Sequence, residues 1–222
     1  HYNHGNYLTN RGDLKQAVQA FKMAHKMEPG VIIPLVNASI AYARLGDTDK
    51  ARKSLEKAAK LDPKSPEVNF NLGLLAGEKG DVKSAESHLR AALKADPNMP
   101  QAAFNLGVLL AKQRPDEAIR WCTKAFEMRP NDPKYGFTLA FYLNQQGDAE
   151  KAIGILRDLM GKGRADADVY MLLGGLHERK GDREKAAGVY WQGANDTRLP
   201  RQVRRLLAGK YRALAPTEKE KQ

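Results

Sequence analysis

Asparagines stand at positions 3, 37, 71 and 105, one constant step apart, and the final two sit in the same tetrapeptide, Phe-Asn-Leu-Gly, at 70–73 and 104–107. A primary amide offers donors and an acceptor in one plane, so it can pair with both the N–H and the C=O of an extended peptide, whatever side chains that peptide carries. A ladder of Asn3, Asn37, Asn71 and Asn105 would grip a backbone. The competing reading of the same amides is local hydrogen bonding between helices. The series stops at Thr138 and Leu172. Other chemistry is absent from the spacing. His1, His4, His25, His88 and His177 are unrelated in position, and no Ser, His and Asp set, phosphate loop or carboxylate pair can be assembled. The lone Cys122 supplies no internal disulfide and no CxxC or CxxCH motif. The expectation is a chain without catalysis and without a cofactor or metal of its own.

What must position the amides is read from the punctuation. Gly-Asp pairs at 12–13, 46–47, 80–81, 147–148 and 181–182 recur at the same step as the asparagines, except for one double step from 80 to 147. The missing pair falls at Arg114-Pro115-Asp116, one residue short. Each pair lies between two segments with helical apolar spacing, and each Asp is expected to cap the second helix. Ala17, Ala51, Ala85, Ala118, Ala152 and Ala186, with Ala24, Ala58, Ala92 and Ala125, let helix axes approach closely. Phe21, Leu55, Leu89, Leu156 and Tyr190 fill the space between. Pro29, Pro63, Pro97 and Pro130 each end a unit, and Ser65-Pro66 and Asp132-Pro133 start the next helix.

This repeating pattern of Leu-Gly, aromatic, Gly, Ala, aromatic, Ala and Pro, met well by residues 66–99, resembles the tetratricopeptide repeat family. The resemblance implies an all-α, right-handed α-solenoid of about six helix-turn-helix repeats, at about 1–31, 32–65, 66–99, 100–132, 133–166 and 167–199. Leu159 and Arg164 depart from it where Ala and Pro are expected. The segment 200–214 reads as a capping helix with Val203, Leu206, Leu207, Tyr211 and Leu214 on one stripe, and 215–222 as a frayed tail. The asparagines are similar to the ladder in the tetratricopeptide region of O-GlcNAc transferases, which grips substrate peptides; only Asn3, Asn37, Asn71 and Asn105 match it.

The first helix of each unit lines the groove in such arrays, which adds Ile33, Val36, Ile40, Phe70, Leu74, Phe104, Val108, Phe137, Phe141 and Met171 to that face. A peptide site is therefore expected at the four asparagines together with Phe70, Phe104, Phe137 and Phe141, for a protein or peptide ligand with apolar side chains. A carboxylate clamp would need Lys and Arg where the third repeat has Glu67 and Asn71. The function implied is a protein-interaction scaffold.

Two alternatives remain at this stage. Residues 114–148 are also similar to tetratricopeptide regions attached to bacterial multihaem cytochromes c, which would make the chain a docking or self-assembly arm, since an open solenoid end favours homo-oligomers. The formal charge of +11 is concentrated at the end, where residues 198–222 hold eight Lys and Arg against two Glu. That end could meet RNA or an acidic surface, although an amide-rich, apolar groove argues against nucleic acid there. The opening HYNHGNYL suggests a processed or excised piece and leaves the compartment open, periplasmic or extracellular ahead of cytoplasmic.

Overall fold

Along this chain one helix after another ends, and the next begins, through the same few hydrogen bonds. In a computed structural model that describes residues 1–214, the backbone turns left-handed at Gly12, Gly46, Gly80, Gly147 and Gly181, with φ between 76° and 85°. At each, the glycine N–H bonds a carbonyl three residues back and the following Asp N–H bonds one five back, as in Gly46 to Ala43 at 2.9 Å and Asp47 to Tyr42 at 2.9 Å. These two bonds satisfy carbonyls that a helix end leaves open, and only glycine takes that φ without a steric cost. The Asp then starts the second helix: Asp47, Asp81 and Asp148 accept from the backbone N–H of Lys50, Ser84 and Lys151. The Lys50 and Ser84 side chains return to the same carboxylates, holding Asp47 and Asp81 below the usual carboxylate range. Asp13 and Asp182 depart from the expected cap. Asp13 turns to Arg11 at 3.5 Å, and Asp182 turns to Lys185 at 3.2 Å.

All thirteen helices among the described residues are α-helices. The chain divides into two compact units, His1–Leu109 and Leu110–Gln222. The first unit contains α1 (Tyr2–Arg11), α2 (Leu14–Met27), α3 (Ile33–Arg44), α4 (Thr48–Leu61), α5 (Pro66–Glu78), α6 (Val82–Ala95) and most of α7 (Pro100–Leu110). Here α1 packs on α2, α3 on α4 and α5 on α6, while α2 and α4 pack on the first helix of the following pair. Ala17, Ala51, Ala85, Ala58 and Ala92 are fully buried, and Phe21, Leu55 and Leu89 fill the space they leave. Each large side chain so buried contributes about 1.5–3 kcal/mol.

The second unit contains α8 (Pro115–Met128), α9 (Pro133–Gln145), α10 (Ala149–Gly161), α11 (Ala167–Arg179), α12 (Arg183–Asn195) and α13 (Arg201–Leu214). Its departures from the repeat pattern are compensated. Leu159, fully buried where the pattern has Ala, faces Gly136, at which a Cβ would stand 2.6 Å from the Leu159 Cδ1. Where Pro is missing, Gly163 adopts φ 66° and its N–H bonds Met160, with Arg164 N–H on Leu159, so the glycine turn replaces the proline stop. Pro115 opens α8 after Arg114, which makes no side-chain cap. The α13 helix packs on α12, with Leu207 fully buried and Val203, Tyr211 and Leu214 half-buried. Leu206, expected on that stripe, is 55% exposed, because it precedes Leu207 by one position and so lies about 100° round the helix. The expected tail, 215–222, lies outside the described residues.

Candidate functional site

The four asparagines are not equivalent once folded. All belong to first helices of the first unit, and each lies in the same register of its repeat. Asn71 Nδ2 donates to the Glu67 carbonyl at 2.8 Å, and Asn105 Nδ2 donates to the Gln101 carbonyl at 2.7 Å, one helical turn back in both cases. An NH2 group has two hydrogens. One is spent on the helix, which fixes the side chain, and the other, like Oδ1, makes no further bond among the described residues. Pairing with both groups of an extended backbone is therefore still open to Asn71 and Asn105, and neither has to be ordered on binding. Both are half-buried.

Asn37 is committed elsewhere. Its Nδ2 donates to Asn6 Oδ1 at 2.9 Å and faces the Tyr2 hydroxyl at 3.4 Å, so it ties α3 to α1. Here the helix-to-helix reading of the amide holds. Asn3 is exposed and lines a hollow of about 460 Å³ with Tyr2, Met27 and Ile33. A second recess, of about 390 Å³, is formed by Asn6, Thr9, Asn10, Phe21, Asn37 and Ile40. Asn6 and Asn10 fall outside the series of repeated asparagines and were missed, yet positions 3, 6 and 10 follow helical spacing on one face of α1, and that period would have found them.

A further asparagine, Asn69, marks the contrast between structural and available amides. It is 8% exposed; its Nδ2 donates to the carbonyls of Pro63 and Ser65, both at 3.0 Å, and its Oδ1 lies 3.1 Å from His88 Nδ1. With the Asn69 amide so oriented, Oδ1 is an acceptor and His88 must carry its proton on Nδ1. Burial holds the His88 pKa below its ordinary value.

The apolar residues divide as well. Ile33, Ile40 and Val108 are exposed on the first helices, and Phe70 and Leu74 are half-buried. Phe104 and Val36 are 6% and 4% exposed, so both serve the packing between helices and offer little surface to a ligand. In the second unit, Phe137 and Phe141 stack at 6.2 Å, and Phe141 is tilted over Tyr142 at 5.7 Å. Phe141 is 38% exposed; Phe137 and Met171 are half-buried against the core. The structure thus gathers the asparagines on the first unit and leaves Phe137 and Phe141 on the other.

Among the described residues no three His, Cys, Asp or Glu side chains are placed to hold a metal ion. His177 is buried with Nδ1 3.6 Å from Asp182, and burial lowers its pKa. Cys122 is fully buried, which pushes its thiol up to about 12. No described helix is long and apolar enough to cross a membrane.

Comparison with known proteins agrees with this architecture. A family model described as tetratricopeptide repeat matches residues 36–100 and 70–133, and one described as Tetratricopeptide Repeats-Sensor matches residues 114–208. No curated protein matches the sequence. Among solved structures, PilF of Pseudomonas aeruginosa superimposes with a TM-score of 0.77 at 20% identity, over 96% of this chain and 93% of that one. PilW, a type IV pilus biogenesis factor, gives 0.75 at 22% identity, over 93% and 96%. YrrB, described as a tetratricopeptide protein with an unusual peptide-binding site, gives 0.67 at 22% identity, over 87% and 99%. The paired helices, the repeated glycine turns and the matches across residues 36–208 together make this chain a member of the tetratricopeptide repeat family, a family of protein-interaction scaffolds.

Proposed function

We propose that the first-helix face of the first unit binds an extended segment of a protein partner, with Asn71 and Asn105 on the segment's backbone. The observation that carries this reading is the identical state of the two amides: each is anchored to its own helix by one N–H and retains one N–H and Oδ1. Ile40 and Val108 are exposed on the same set of helices and suit a segment with apolar side chains. Asn37 contributes by holding α3 to α1, and Asn3 stands at the edge of the face. A peptide-binding site is described for YrrB, a protein of the same fold, which is in keeping with a peptide partner.

The test begins with peptides selected from a displayed random library on the intact chain, followed by calorimetry on Asn71→Ala with Asn105→Ala. Each lost backbone pairing costs about 0.5–1.5 kcal/mol, so the double variant should bind on the order of 10-fold to 100-fold more weakly. Unchanged affinity, with an unchanged circular dichroism spectrum, would sink the reading.

A further inference from the structure

The second helices of the first unit carry a charge pattern that the first helices lack. Helices α2, α4 and α6 hold eleven Lys and Arg against three Asp and Glu, whereas α1, α3 and α5 hold two Arg against two Glu. The three acids are already occupied: Asp49 and Glu56 lie 3.7 and 3.5 Å from Arg52, and Glu86 lies 2.8 Å from Arg90. Lys22 on α2 and Lys53 and Lys57 on α4 make no close ion pair among the described residues, although Lys53 is attracted at longer range by Asp47 and Asp49.

These three lysines line one cleft between α2 and α4, of about 240 Å³, together with His25, Ser54 and Tyr42. The Lys22 and Lys50 ammonium groups lie 5.7 and 5.9 Å from the centroid of the Tyr42 ring. His25 Nδ1 is buried and has no hydrogen-bond partner among the described residues. A cleft lined by one sign of charge with low-dielectric walls concentrates the opposite charge. We infer that the α2/α4 cleft docks an acidic segment of a protein partner, whose Asp or Glu carboxylates are set against Lys22, Lys53 and Lys57.

The chemistry favours a peptide over other anions. Phe21 and Tyr42, the aromatic residues of the cleft, are 1% and 8% exposed and offer bases no face to stack on. A bilayer is flat, and its headgroups would meet the helix crests before the half-buried Ser54. An extended or helical segment can lower single carboxylates into the cleft. The lysines of this cleft lie on second helices, over a floor that includes Tyr42 of α3, whereas Asn71 and Asn105 lie on α5 and α7 and do not line it.

The probe is a fluorescein-labelled peptide of Asp and Glu with one central Leu, read by anisotropy on the intact chain. Its control is the same peptide with every acid replaced by its amide. The acidic peptide is expected to bind, to weaken steeply with added salt, and to lose affinity on the order of tenfold with Lys53→Gln and Lys57→Gln together. Lys15→Gln with Lys26→Gln, which lie on α2 outside the cleft lining, should change little, and Asn71→Ala with Asn105→Ala should change nothing. Equal binding of the amide peptide, or an unaffected Lys53 and Lys57 variant, would overturn the inference. So would lysine-dependent binding of a polyuridine oligonucleotide or of phosphatidylserine vesicles in the absence of peptide binding.

Discussion

Gly174 and Gly175 are neighbours in α11, and alanine should stabilise the fold at the second and not at the first. A Cβ at Gly174 would stand 2.3 Å from Tyr190 Cε1 and 2.4 Å from Cζ, where carbon contacts settle near 3.5–4.0 Å. The Tyr190 ring would have to retreat by roughly 1 Å or more. It has little room to do so. It is fully buried, its hydroxyl donates to Glu178, and Lys210 lies over its face at 5.2 Å. Overpacking of this kind costs about 1–3 kcal/mol, against a gain of about 0.8–1.0 kcal/mol for replacing a helical glycine by alanine. At Gly175 nothing lies within 4 Å of the added carbon, so only the gain remains. The two variants should differ by about 1–3 kcal/mol, with Gly175→Ala above wild type and Gly174→Ala below Gly175→Ala by that amount. Urea midpoints followed by far-ultraviolet circular dichroism, with thermal midpoints spaced by about 2–4 °C per kcal/mol, would resolve this. If Gly174→Ala unfolds at or above Gly175→Ala, the packing argument is wrong.

Other consequences can be checked as directly. Cys122, fully buried with its thiol pushed up to about 12, should resist iodoacetamide at pH 8 in the native chain and react rapidly in denaturant; prompt native labelling would contradict the burial. Asp196 is held down at about 2, first by its bond from Arg198, with Tyr170 also donating. Because its folded pKa lies below the ordinary 3.8, its stabilisation is present above that value and is lost as pH falls toward about 2. Acid unfolding of Asp196→Asn should therefore be shallower than wild type between those limits, and parallel curves would refute it. Asp47 caps α4 and Asp13 makes no side-chain cap on α2, so Asp47→Ala should lower the thermal midpoint more than Asp13→Ala. Equal shifts would show that the repeated Asp works through something other than the cap.

The repeat was legible because its signals are local and redundant. Each Gly-Asp pair encodes two carbonyl closures and the start of a helix, and the buried alanines recur at the same offset, so no tertiary knowledge is needed to find them. The site was less legible. Sequence places Asn37 and Asn71 in the same register, but whether an amide is spent depends on what stands opposite it. Asn37 meets Asn6 and Tyr2 on α1, while Asn71, among the described residues, bonds its own helix carbonyl. Phe104 shows the same limit: its position matches Phe70, yet it is the more deeply buried of the two. The α2/α4 cleft was hidden for another reason. Net charge read along stretches of sequence points to residues 198–222, whereas the lysines of the first unit gather only when second helices are taken together. The likeness to cytochrome-linked repeats rested on one stretch, 114–148, and gains no support from the relatives found.

The fixed interval between repeats also constrains how such a chain can change in length. One residue added inside a helix rotates everything beyond it by about 100°, which would swing a buried alanine face toward solvent. A copy of a whole hairpin, such as residues 66–99, keeps every face in phase. The one irregular repeat obeys this rule. Gly107 still follows Gly73 at the regular step, whereas Ala118 comes one position early after Ala85. The loss falls between Gly107 and Ala118, where α7 ends at Leu110 and Pro115 opens α8. Lineages carrying this architecture should thus gain or lose length in whole hairpins, or at the tips between paired helices, and a copy of residues 66–99 would add one more first-helix asparagine at the regular step.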